Sequence, residues 1–134
     1  MSHLLTKSMQ NLESADILIN ANMFSASVHC SYYSCLQLCK HVLISDMGMT
    51  FADIEKIANG SSSHKSIIKI VYDDLVFIKR KSYAARNLNR NINRLKISRI
   101  KADYGDELLE YHDSIYCLKL AKLIITLINT NYTI

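Results

Sequence analysis

The chain has 134 residues, 49% of them hydrophobic, with 16 Lys and Arg against 12 Asp and Glu and a net charge of +4. That length holds one domain with its own core, and the share of apolar residues excludes a disordered chain. There is no proline and there are only three glycines, so the composition favours long unbroken helices.

Taken in chain order, Met1-Ser2-His3-Leu4-Leu5 lacks a basic segment followed by an apolar run, and no signal peptide is expected. The first helix is expected from Ser2 to Asn20, with Leu5, Met9, Leu12, Ala15 and Ile19 at helical spacing and Asn22 as its stop. The second runs from Ser25 to Asp46. Ala26, Cys30, Tyr33 and Leu36 or Gln37 mark one face, and Val28, Tyr32, Cys35, Cys39 and Val42 mark its neighbour. Both faces are apolar, which makes this helix central. A connection from Met47 to Ser63, with Gly48 and Gly60, has room for a short helix over Phe51 to Ala58. Ser61, Ser62 and Ser63 are N-cap candidates for a helix from His64 to Ile78. A basic helix is expected over Ser82 to Tyr104, ended by Gly105. The last helix is placed from the acids Asp106 and Glu107 to Asn129. Its apolar stretch, Leu123 to Ile128, also suits a strand, but no partner strand is visible and the stretch is too short to span a bilayer. Short connections between long helices predict an all-α, up-and-down bundle of four or five helices forming a single domain. The expected location is the cytoplasm, with no membrane partner.

The four cysteines, Cys30, Cys35, Cys39 and Cys117, show no disulfide spacing and read as buried thiols of a reducing compartment. Cys35 and Cys39 lie one turn apart, but neither a Cys-x-x-Cys pair nor a Glu-x-x-His motif accompanies them. No metal site and no cofactor is expected.

Lys79 to Ala102 carries nine Lys and Arg and no acid, and it contains all five arginines. At about 100° per residue, Leu88, Ile92, Leu95 and Ala102 share one face. Arg86, Arg90 and Arg94 fall opposite as a solvent-facing stripe, fit either to track a phosphate backbone or an acidic protein, or simply to be solvated. The asparagines Asn87, Asn89, Asn91 and Asn93 interleave with them, and no run of aromatics suggests base stacking. Arg99 falls on the apolar face instead. A guanidinium there needs a carboxylate, a subunit interface or a polar cleft. Asp103, Glu110 and Asp16 are the carboxylates within its expected reach. His64 is either a second acid or base at the bundle end or a surface residue of a first helical turn. His29, His41 and His112 have no evident partner.

Four features in order resemble the HEPN family of small helical domains: the amphipathic helix Leu12 to Ile19 with its break at Asn20 to Met23; Phe24-Ser25-Ala26-Ser27-Val28-His29-Cys30-Ser31-Tyr32-Tyr33; Ser61-Ser62-Ser63-His64-Lys65; and Arg99-Ile100-Lys101-Ala102-Asp103-Tyr104. The resemblance covers about Asn11 to Ile128. It implies a bundle of the HEPN type, commonly a homodimer, often working beside a nucleotidyltransferase in toxin–antitoxin or phage-defence systems. Many members are metal-independent ribonucleases with an arginine, four to six residues, then a histidine. Arg99 matches that arginine, but after four intervening residues stands Tyr104. A tyrosine, with an ordinary pKa of about 10, is a poor general base at neutral pH. The resemblance therefore implies a nucleotide- or RNA-associated binding or dimerisation module, with Arg99, Asp103 and His64 as binding residues. One alternative is a divergent ribonuclease that uses Arg99 with Tyr104 or His64. Another is a helical adaptor that docks an acidic protein on Arg86, Arg90 and Arg94.

Overall fold

The computed structural model describes residues 2–58 and 63–134, and these form an all-α bundle. Its helices are α1 (Leu4–Asn20), α2 (Phe24–Ser45), the short α3 (Phe51–Ala58), α4 (Ser63–Asp73), α5 (Ser82–Tyr104) and α6 (Tyr111–Asn131). α4 runs on through a π-helical stretch, Asp74–Ile78. No strand occurs among the described residues, so Leu123 to Ile128 is helical. Among those residues no helix is long and apolar enough to cross a membrane. The expected caps Ser61 and Ser62, and Gly60, lie outside the described residues; Ser63 is the first residue of α4.

α2 is the central helix and packs on all the others. One face inserts Val28, Tyr32, Cys35, Cys39 and Val42 into the core. There they meet Ile67 and Val71 from α4, Leu75 from the π-helical stretch, Leu88, Ile92 and Leu95 from α5, and Ile124 and Ile128 from α6, all fully buried. Each such aliphatic side chain contributes about 1.5–3 kcal/mol of transfer free energy. The thiols of Cys35 and Cys39 sit in this core. Burial pushes both well above the ordinary cysteine value, so they pack as protonated, apolar groups.

The second buried face of α2 differs from the expectation. It consists of the serines Ser27, Ser31 and Ser34 with Leu38; of the expected residues Leu36 is buried, while Ala26 is exposed and Cys30, Tyr33 and Gln37 are only half-buried. Small side chains let α1 approach closely. Ser27 Oγ donates to the Ala15 carbonyl at 2.7 Å and Ser8 Oγ donates to the Ser34 carbonyl at 2.6 Å. These bonds also fix the direction: as the position rises on α1 it falls on α2, so the pair is antiparallel. They rotate α1 slightly from its expected register. Leu4, Ser8, Ala15 and Ile19 are buried, whereas Met9 is 64% exposed.

Chain ends of the helices follow local chemistry. Asn22 takes a left-handed φ of 60°. Met23 N–H then bonds the Leu18 carbonyl at 2.8 Å and Asn22 N–H the Ile19 carbonyl at 3.0 Å, a Schellman closure of α1. Gly105 ends α5 for a different reason. Its backbone is extended, and a Cβ would lie 2.6 Å from the Lys101 carbonyl oxygen, so only glycine passes that close. α6 starts at Tyr111, later than the acids Asp106 and Glu107 suggest. Glu110 is its N-cap, and its side chain and that of Asp113 form a reciprocal capping box, with Glu110 N–H donating to Asp113 Oδ2 at 2.8 Å.

Candidate functional site

Arg99 lies one turn beyond Leu95 on the buried face of α5, and its residue is only 7% exposed. α2 crosses beneath it and sets the surroundings. His29, Tyr32 and Tyr33 are spaced i, i+3, i+4, so they share one side of α2. The guanidinium carbon lies 4.9 Å from the Tyr32 ring centre and 5.8 Å from that of Tyr33, within cation–π range. Tyr104, one turn further on and 77% exposed, places its ring 6.0 Å away from the outer side.

The countercharge is Asp103. Its Oδ2 stands 3.5 Å from Arg99 Nη1, longer than a strong charge-assisted bond. The same carboxylate is held more closely by His29, whose Nδ1 lies 2.9 and 3.0 Å from its two oxygens. Asp103 is thus shared, and Arg99 has the weaker claim. Among the described residues Arg99 Nε, fully buried, has no hydrogen-bond partner. A guanidinium carries five N–H donors, so this one is under-satisfied where it sits.

His64 completes the group from the first turn of α4. Its Nδ1 is 3.2 Å from the Tyr32 hydroxyl. Burial lowers its pKa, helped by the positive charges of Arg99, Lys40 and Lys96, so the imidazole is neutral at neutral pH. Burial pushes the Tyr32 phenol up to about 12 against the pull of Arg99. The phenol keeps its proton and can donate it to Nδ1. The ring's own proton then belongs on Nε2.

Arg99, His64 and Tyr104 line an open cleft of about 520 Å³ together with Tyr33, Lys65 and Lys96, and Asp103, His29 and Tyr32 lie behind its wall. Its charged walls are cationic: Lys65, Lys96 and Arg99. Of the residues singled out from sequence, Arg99, Asp103, Tyr104 and His64 converge here. Arg86, Arg90 and Arg94 do not; they are exposed, none of them lines the cleft, and Arg90 Nη2 donates to Asn87 Oδ1 at 2.8 Å. Sequence reasoning missed His29 as the partner of Asp103, 74 positions away. The i, i+3, i+4 relation to Tyr32 and Tyr33 was the available signal. Tyr32 and Tyr33, placed by sequence on the apolar faces of α2, also turn their rings to the guanidinium. Cys30 is half-buried and Cys117 buried, and both are free thiols.

Chemically the arrangement suits an anion. A planar cation with a free buried donor, two lysines and a neutral imidazole surround open space. Phosphate oxygens match a guanidinium in geometry as well as charge. No family model, no curated protein and no solved structure matches the chain.

Proposed function

We propose that the chain is a HEPN-like helical module that holds a phosphate of RNA or of a nucleotide at Arg99, as a binding protein without efficient catalysis of its own. The buried, under-satisfied guanidinium in a cationic cleft carries this reading. A buried charge with one shared, 3.5 Å ion pair is a stability liability unless a ligand completes its hydrogen bonds. Tyr104 in place of the family's histidine supports binding over cleavage.

The module acts as a homodimer. Ile97, Ile100 and Tyr104, spaced i, i+3, i+7, are exposed on α5 beside the cleft, and Leu108 after them is 90% exposed. A second copy laid on this stripe removes apolar surface from water and narrows the cleft. A separate partner, of the nucleotidyltransferase kind in a toxin–antitoxin or defence-type system, follows from the family resemblance alone.

A second reading, a divergent metal-independent ribonuclease, is favoured by one observation: His64, kept neutral, shares the cleft with Arg99. A neutral imidazole is a usable general base near pH 7. Yet donation from Tyr32 to Nδ1 leaves a proton on Nε2, which makes His64 a donor toward the cleft. An assay of RNA binding and cleavage in EDTA, comparing wild type with Arg99→Ala, separates the readings. Binding lost in the variant, with no cleavage by either protein, supports the module. Cleavage that disappears in the variant makes the chain a ribonuclease. A monomer whose RNA and nucleotide affinity is nil, or is indifferent to Arg99, overturns both.

A further inference from the structure

The Arg99 cleft does not end at its own walls. Lys65 and Lys96 also line a second cleft, of about 570 Å³, that continues along the seam between α4 and α5. On α4 its wall is the row Lys65, Lys69, Tyr72; on α5 it is Asn89, Asn93, Lys96. Both rows have the spacing i, i+4, i+7, so each is one stripe along its helix. From Arg99 to Asn89 the α5 wall extends roughly 15 Å at the helical rise.

We infer that this paired cleft is the track of a single-stranded oligonucleotide, with one phosphate at Arg99 and the neighbouring nucleotide in the α4–α5 groove. The inference rests on the reading of Arg99 as a phosphate site and adds that the ligand is a strand and not a lone nucleotide. Each compartment has the volume of a pocket for one small molecule. The two share a wall of two lysines, where a bridging phosphodiester belongs. The single acid in the groove, Asp73, is already neutralised by Lys69 Nζ at 2.6 Å. The acid of α5, Asp103, is taken up by His29 and Arg99 and lines neither cleft. Tyr72, half-buried and fixed against the core, offers a ring to stack a base, and the Asn89 and Asn93 side chains offer amides to its edge. A paired duplex keeps its bases turned inward, away from such a ring, so an unpaired strand is the better fit. The exposed Arg86, Arg90 and Arg94 lie outside this track.

Fluorescence anisotropy at one fixed low salt concentration tests this, with adenosine monophosphate and the ribo and deoxy tetra-adenylates as probes. The proteins are wild type, Arg99→Ala, Tyr72→Ala and the solvent-exposed Asn93→Asp, which preserves the packing if Tyr72→Ala loosens the fold. Wild type is expected to hold a tetranucleotide at least about tenfold more tightly than the mononucleotide. Tyr72→Ala and Asn93→Asp should each remove roughly tenfold of tetranucleotide affinity, as loss of one stacking or polar contact does, and leave the mononucleotide unchanged. The ribo and deoxy arms decide which polymer is preferred. Equal affinity for mononucleotide and tetranucleotide, both lost in Arg99→Ala, overturns the track and leaves the Arg99 site standing. Tetranucleotide binding that ignores Arg99→Ala overturns the Arg99 site and with it the continuous path. No binding of any probe overturns both.

Discussion

α5 carries the same side chain in two opposite situations. Arg86, Arg90 and Arg94 stand on its exposed face, where water solvates each guanidinium and nothing further is demanded of the fold. Arg99, on the other face, is removed from water and must be compensated by what α2 and α5 place around it. The compensation is partial: three tyrosine rings and a carboxylate that His29 holds more closely. A charge on a surface carries little information about function, because it is tolerated there in any protein. A charge held inside with an idle donor is tolerated only for a reason, and the cationic cleft beside it supplies one.

The sharpest way to break this comparison is to remove the charge and keep the volume. Arg99→Met is expected to leave the unfolding free energy within about 1 kcal/mol of wild type, because it removes an under-satisfied buried charge while Asp103 keeps its closer partner, His29. The same variant should lose on the order of a hundredfold in phosphate-ligand affinity, since a buried, ligand-facing charge is typically worth several kcal/mol when truncated. Urea unfolding and nucleotide titration on the same preparation check both halves. A variant that binds normally would return Arg99 to a purely structural role.

Removing the countercharge instead should act on stability. Asp103→Asn leaves Arg99 without an anion and His29 without its partner. Breaking a fully buried pair costs about 3–5 kcal/mol. Asp103 is 19% exposed and the cleft is open, so roughly 2 kcal/mol is expected, read as a lower urea midpoint. Combining it with Arg99→Met should recover most of that loss, a coupling that a double-mutant cycle measures directly.

Much of this molecule could be read before any coordinates. The bounds of α3 and α5 follow from sequence: α3 lies between Gly48 and Gly60, and α5 holds a clean apolar period and stops at Gly105. The inward position of Arg99 follows from the same period, since it depends only on 3.6 residues per turn. What resists reading is set by contacts between distant segments. His29 looks idle on α2 because its partner lies on α5. The register of α1 is decided by Ser8 and Ser27 reaching carbonyls on the facing helix, and small polar residues do not advertise themselves as packing residues. The start of α6 was missed for a subtler cause. Asp106 and Glu107 suit a helix N-terminus by charge, but Glu110 and Asp113 suit it by reciprocal hydrogen bonding, and the bonded arrangement prevails.

A smaller effect separates the titration of the cleft from that of the surface. His64 has a lowered pKa in the folded protein, caused first by burial and then by Arg99, Lys40 and Lys96. The unfolded chain, with its histidine near the ordinary 6.5, therefore binds the proton first as the pH falls. Stability from keeping His64 neutral is complete above about pH 6.5 and is lost as the pH drops through the lower folded value. Urea midpoints between pH 7 and pH 5 should fall in wild type and fall less in His64→Gln. An anion in the cleft favours the protonated ring, so ligand affinity is expected to rise over the same interval in wild type only.

The smallest effect belongs to the exposed stripe, and it tests the comparison from the other side. Replacing Arg86, Arg90 and Arg94 together by Gln keeps length and helix propensity while removing three charges. Each is a surface substitution away from caps and core, expected to change stability by less than about 0.5 kcal/mol. Mononucleotide affinity should stay the same, because none of the three lines the cleft. Longer-range attraction of a polyanion should weaken slightly and mainly at low salt, within a Debye length of about 10 Å at 0.1 M. If the triple variant instead loses a protein partner in a salt-sensitive pull-down while nucleotide binding persists, the stripe is a docking face for an acidic protein. The two faces of α5 would then serve two different ligands, with Arg99 buried for one and the stripe exposed for the other.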